Sequence, residues 1–120
     1  MNIETLIKNS IKKHSAEVIE LNNFMADNPE LSGKEFKAAN EIVKLLKGKG
    51  FDNIEKPYAG METAFKTSIN KGKIKKAAIL VEYDALPGIG HGCGHCASGS
   101  ISILAALVLN DLRDYLNAQV

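Results

Sequence analysis

Three scarcities bound the reading of this sequence. It has two cysteines, no apolar run long enough to span a bilayer, and no surplus of either charge. The missing apolar run excludes a membrane-spanning helix. Lysine and arginine number 15 against 14 acids, a net charge of +1. The lysines alternate with acids rather than clustering, which argues against nucleic acid and against an anionic membrane surface. The first residues, Met1-Asn2-Ile3-Glu4, lack the basic start and apolar core of a signal peptide, so a cytoplasmic protein is expected. Cys93 and Cys96 would then be reduced, and they read as ligands or reactive thiols rather than a structural disulfide. The sequence also lacks internal repeats, low-complexity tracts and linkers.

What is present suits one domain. The 120 residues are 45% apolar, enough to bury a core and too many for a disordered chain. Ile3, Ile7, Ile11, His14, Val18, Leu21 and Met25 recur in four- and three-residue steps and predict an amphipathic first helix. Here His14 reads as a satisfied core histidine, and Asn28-Pro29 ends the helix. A second helix is expected from Ser32, with Ser32 and Glu35 as a capping box. Phe36, Ala39, Ile42, Val43 and Leu46 would form its buried face, with Gly48 and Gly50 at its left-handed end. Extended segments are expected at 54–58, 63–69 and 74–83, with Met61 and Phe65 in the core. Lys71, Lys73, Lys75 and Lys76 would flank a solvated turn. The centre of 74–83 is apolar on both faces and should lie inside a covered sheet. A nearly all-apolar helix follows over about 96–117; its small first turn, Ala97-Ser98-Gly99-Ser100, permits close approach to that sheet. The class is therefore α/β, with two N-terminal helices, a short mixed sheet and a buried C-terminal helix. A doubly buried strand and such a helix need more neighbours than these elements supply, so residues 1–120 look like the front part of a larger domain.

The chemistry gathers between strand and helix, in Glu82-Tyr83-Asp84-Ala85-Leu86-Pro87-Gly88-Ile89-Gly90-His91-Gly92-Cys93-Gly94-His95. Glycines here let the backbone turn sharply. Cys93 and His95, two residues apart, can point to one spot. A thiolate and an imidazole suit zinc well, and manganese, cobalt or iron less well. A packed cysteine near a helix start is the equally available reading. Asp84, at the carboxyl end of the strand, could orient a ligating histidine. His91 could be a third ligand, a substrate contact or a loop residue.

The run from Val81 to His95 closely resembles the signature of a metal-dependent amidohydrolase and peptidase family, which includes aminoacylases, aminobenzoyl-glutamate hydrolases and indole-acetyl-amino-acid hydrolases. The pattern is an acidic-x-Asp-Ala-Leu-Pro run, a glycine loop and His-x-Cys-Gly-His. Asn28-Pro29-Glu30-Leu31 with Glu35-Phe36 resembles the family's early helix–turn–helix. The resemblance implies a partial zinc-peptidase-like catalytic domain, about the first third of a family member, without the lid or dimerisation domain. It implies metal ligation by Cys93 and His95 in a two-metal centre of zinc or manganese, with Asp84 as the acid beside the site. Its substrates would be N-acyl amino acids or small peptides. Glu82 reads as a strand-end residue, weighed as a substitute base. The family's general-base glutamate and remaining ligands lie beyond residue 120, so the expectation is a fragment inactive alone and prone to self-association. Cys96 departs from the pattern: the family carries Asp or Asn there, a group that could orient a ligand or hold the helix start.

Cys96 also completes Cys93-Gly94-His95-Cys96, which resembles the active site of protein disulfide isomerases, with Leu80-Val81-Glu82-Tyr83 resembling the strand before it. Position argues against a thiol–disulfide oxidoreductase. A thioredoxin-like fold needs several strands and a cis-proline loop afterwards, and no proline follows Pro87.

Overall fold

The computed structural model describes residues 2–120. Its frame is three helices, α1 (Ile3–Asp27), α2 (Phe36–Gly48) and α3 (His95–Asp111), followed by a short 3-10 turn at Arg113–Tyr115. The Asn2 side chain caps α1 by accepting from the Thr5 amide at 2.8 Å. Asn28 ends the helix, its amide donating to the carbonyls of Phe24 (3.0 Å) and Met25 (3.2 Å). From His14 onward the expected stripe is buried: His14, Val18, Leu21 and Met25. Its first three members are not, since Ile3, Ile7 and Ile11 remain 37–49% exposed. The reason is the length of the partner. The last turn of α3 lies level with Ser10 and His14, where Asp111 Oδ2 accepts from Ser10 Oγ (2.7 Å) and lies 2.9 Å from His14 Nε2. The turns before Ser10, which carry Ile3 and Ile7, outrun it, and Ile11 lies beside its very end. His14, 1% exposed, is a core histidine as its place on the stripe implied, but only half satisfied: Nε2 meets Asp111 while Nδ1 is buried without a partner.

The second helix starts later than expected. Glu35 is its N-cap residue and makes no side-chain cap; residues 31–34 form a turn instead, closed by Lys34 N to Leu31 O at 2.8 Å. The free amides at the helix start are met by Glu30, whose carboxylate accepts from Lys37 N (3.0 Å) and Ala38 N (2.8 Å). An acid at a helix start also matches the helix dipole. Glu35 turns inward and accepts from Thr63 Oγ1 at 2.7 Å. Ala39, Ile42, Val43 and Leu46 are buried as expected, but Phe36 is exposed. Gly50, not Gly48, has the left-handed backbone that ends the helix, at φ +91°.

The expected mixed sheet does not form; the chain is α-rich, and among the described residues only isolated bridges occur, such as Glu55 with Lys66 and Lys76 with Gln119. Sheet stability needs ladders, and here side chains or single rungs take their place. The Asn53 carboxamide occupies one edge of 63–69, donating to Ser68 O (3.0 Å) and accepting from Ser68 N (3.3 Å). Among the described residues, 77–83 has no backbone neighbour beyond Ala77, so the strand expected to be covered on both sides leaves Leu80 84% exposed. Lys71, Lys73, Lys75 and Lys76 are solvated as expected. Met61 is exposed rather than core, whereas Phe65 stacks on Tyr83 with centroids 6.2 Å apart.

The core lies where α1, α2 and α3 meet, around Met25, Ile42, Leu46, Ile103 and Leu107, with Phe51, Ile69 and Tyr83 closing one side. α3 packs chiefly on α1. It ends at Asp111 rather than near 117, and Ile101 points to solvent.

Candidate metal-ligand loop

Residues 79–84 carry side chains alternately inward and outward: Ile79, Val81 and Tyr83 face in, Leu80 and Glu82 face out. Period-two alternation marks extended backbone. Tyr83 pins this segment by donating its hydroxyl to the carbonyl of Thr63, the residue held by Glu35. Burial, with the Glu35 charge adding, pushes the Tyr83 phenol up to about 12. Ala85 then donates to Glu30 O at 2.7 Å. The segment is thus fixed on both sides of Asp84.

The loop itself is closed by Leu86 N to Gly90 O at 2.9 Å. Gly90 has φ +60° and Gly94 φ +81°, conformations that residues with a Cβ rarely adopt. Gly94 is the N-cap of α3, so the helix begins at His95, one residue before the expected start. One further glycine sets the distance between helix and strand. A Cβ on Gly99 would lie 2.2 Å from the carbonyl oxygen of Glu82. The small first turn therefore does allow close approach, and only glycine fits at its tightest point.

That approach brings His95 to Asp84. Nδ1 of His95 lies 2.8 Å from Asp84 Oδ1, and Nε2 lies 3.4 Å from Glu82 Oε2. The hydrogen bond to Asp84 raises the His95 imidazole above the usual histidine value; desolvation opposes it, and the charges of Asp84 and Glu82 add to it. Cys93 is exposed and reaches the same residue, its Sγ lying 3.9 Å from the Asp84 carbonyl oxygen. Asp84 and Glu82 are therefore both brought to the His95 ring, and Cys93 to the backbone of Asp84. The Nδ1 of His91 is buried and has no hydrogen-bond partner. Cys96 is buried and free.

Nδ1 of His95 is turned to one carboxylate, as in many metal-ligating histidines, while its other ring nitrogen lies toward a second, that of Glu82. The donor types suit a divalent cation, yet no group of three or more histidine, cysteine or acidic side chains among the described residues could hold one. A catalytic zinc needs three protein ligands. The described residues thus fit part of a coordination sphere and not a whole one. Sequence reasoning undervalued Glu82, whose approach to His95 depends on Gly99. It also named Glu30 and Glu35 without the roles they play and missed Thr63, which together hold the loop's base; the buried partners Glu35 and Thr63 are far apart in sequence and left no local signal of their contact.

Known proteins with similar sequences bear on this geometry. The chain is 33% identical over 89 residues to Xaa-Arg dipeptidase of Mus musculus, covering 68% of this chain and 21% of that protein. It is 31% identical over 100 residues to one of the chains of p-aminobenzoyl-glutamate hydrolase from Escherichia coli, covering 69% of this chain and 20% of that one. These relatives are amidohydrolases and peptidases, and it is that family the chain resembles. Thermostable carboxypeptidase 2 of Saccharolobus solfataricus matches all of it at 25% identity, over 34% of the relative's length. The chain thus spans between about a fifth and a third of the relatives it matches. No family model matches it. The names of these relatives are those of hydrolases, and nothing in them supports a thiol–disulfide oxidoreductase. The separated states of Cys93 and Cys96, one exposed and one buried, add nothing to that alternative either. No helix among the described residues is long and apolar enough to cross a membrane.

Proposed function

We propose that this chain carries the strand-to-helix part of the active site of a cytoplasmic, metal-dependent amidohydrolase that cleaves an amide bond to an amino acid or small peptide. The observation that carries the reading is the Asp84–His95 pair at the start of α3, with Nδ1 of His95 2.8 Å from Asp84 Oδ1 and Nε2 3.4 Å from Glu82 Oε2. His95 and Cys93 would be ligands to zinc or manganese, and Asp84 the acid that orients His95. His91 would line the site, while Cys96 packs into the core behind it. When bound, such a metal polarises a scissile carbonyl and lowers the pKa of a bound water. What these residues do is fix a ring nitrogen and a thiol beside one carboxylate. Glu82 balances positive charge on the outer side of the ring. Relatives named as acting on a dipeptide and on p-aminobenzoyl-glutamate support the substrate class.

Because fewer than three donors converge among the described residues, the chain alone should bind metal without turnover. Equilibrium dialysis with zinc, on the native chain and on His95→Ala, tests this beside an assay of N-acyl amino acid hydrolysis. The expected result is zinc retention that drops at least tenfold in His95→Ala, with no hydrolysis by either. Equal retention by both would overturn the ligand assignment, and hydrolysis by the native chain would overturn the incomplete-site reading.

A further inference from the structure

The segment that carries Asp84 hangs from the start of α2 at two points, one on each side of it. After Asp84, the Ala85 amide donates to the carbonyl of Glu30, whose own carboxylate caps the helix. Before it, the Tyr83 hydroxyl donates to the carbonyl of Thr63, whose hydroxyl donates in turn to Glu35 Oε2 at 2.7 Å. Thr63 is thus a two-sided bridge, main chain to the extended segment and side chain to the helix. The bridge has little room to move. Tyr58 and Met61 exchange both amide–carbonyl bonds, as do Glu55 and Lys66. Between Tyr58 and Met61, Ala59 and Gly60 both take positive φ, the geometry of a tight hairpin turn.

The placing of Glu35 runs against two ordinary preferences. It occupies the N-cap position of α2 yet caps no amide, the task falling to Glu30. Its carboxylate is buried, and no cation pairs with it among the described residues. Two local rules broken at one residue point to a role outside the helix it starts. Its one printed contact leads through Thr63 to Tyr83, the residue before Asp84.

We propose that Glu35 is a positioning residue for the Asp84–His95 pair: through Thr63 and Tyr83 it fixes the backbone at 83–84 and so the reach of Asp84 to the ring. This role rests on the site proposed above. The His95 ring reports on it. Nδ1 lies 2.8 Å from Asp84 Oδ1 and Nε2 lies 3.4 Å from Glu82 Oε2, so each neutral tautomer has a carboxylate to donate to. Asp84 is the nearer and holds the proton. The backbone of Glu82 is held separately, close against Gly99. Loosening Tyr83 therefore lets Asp84 retreat while Glu82 stays, and the proton moves toward Nε2.

Nitrogen-15 NMR of the neutral His95 ring, in the metal-free full chain, tests this. Thr63→Val and Glu35→Ala cut the bridge, and the tautomer ratio should move about tenfold toward Nε2–H, the range that one hydrogen bond spans. Thr63→Ser keeps the hydroxyl and Glu35→Gln keeps an acceptor oxygen, so the ratio should stay within about twofold of native. Val18→Ala opens a cavity in the helical core; it should lower the melting temperature and leave the ratio unchanged. A native ratio in the two cut variants, a full shift in the two conservative ones, or an equal shift in Val18→Ala would each overturn the role. Where a cut variant fails to fold, Tyr83→Phe, which breaks the bridge at its last bond, decides by the same ratio. No metal is present, so a failure here is distinct from a failure of His95 to retain zinc, which would strike the ligand assignment alone.

Discussion

Replacing Gly99 by alanine should destabilise the chain, although alanine is the better helix former. A Cβ at 2.2 Å from the Glu82 carbonyl oxygen must retreat by roughly 1 Å to reach ordinary contact. The obstacle is backbone, so no rotamer change relieves it. Overpacking of this kind costs up to about 3 kcal/mol. Alanine in place of glycine inside a helix returns about 1 kcal/mol. The net loss is about 2 kcal/mol, a fall in Tm of roughly 8 °C for a domain of this size. Urea denaturation and thermal melting followed by circular dichroism read this directly. Ser98→Ala, one residue away and exposed, is the control and should change stability by less than about 0.5 kcal/mol. Because Glu82 and Asp84 belong to the displaced segment, the imidazole resonances of His95 should also move in Gly99→Ala. A variant that melts at or above the native temperature would refute the close approach of α3 to the strand.

Two further expectations concern pH. Burial works to raise Asp111, but hydrogen bonds from Ser10, His14 and Lys13 outweigh it, and its carboxyl lies below the ordinary aspartate value. A depressed carboxyl contributes stability that is present above its unfolded value and lost as pH falls through the folded one. Asp111→Ala should therefore flatten the acid limb of stability against pH below about 4, and lose about 2 kcal/mol at neutral pH by leaving buried His14 without a partner; an unchanged acid limb in urea melts would contradict this. Tyr83 behaves in the opposite sense. Its raised value holds the phenol neutral in the fold, so its contribution is intact below pH 10 and is lost as pH rises through about 12. The phenolate absorbance of the native chain minus that of Tyr83→Phe should titrate near 12, and a midpoint near 10 would show the phenol to be neither buried nor beside Glu35.

The helices were legible because their signals are local. The α1 stripe, the Asn28-Pro29 stop, the apolar run of α3 and the small turn at Gly99 each read within one or two turns of sequence. What failed depended on partners. Ile3, Ile7 and Ile11 have the right spacing, but the length of α3 decides whether they are covered. The capping box at Ser32 and Glu35 lost to Glu30, because Glu35 finds a buried hydroxyl in Thr63 that no local pattern announces. The strands carry strand composition, yet a strand exists only through its neighbours, and 77–83 has one rung. At the site the motif located Asp84, Cys93 and His95 on one loop. The hydrogen bond that turns His95 had to be read from the fold, as did the place of Glu82 across from it.

The orientation of one imidazole decides most directly whether this loop belongs to a metal site. Nitrogen-15 NMR of the histidine rings at pH 8, followed through a zinc titration, measures it. The proton should sit on Nδ1 of His95, toward Asp84, with zinc shifting Nε2 and leaving His14 unmoved. A proton on Nε2, or no zinc-induced shift at His95, would contradict that assignment.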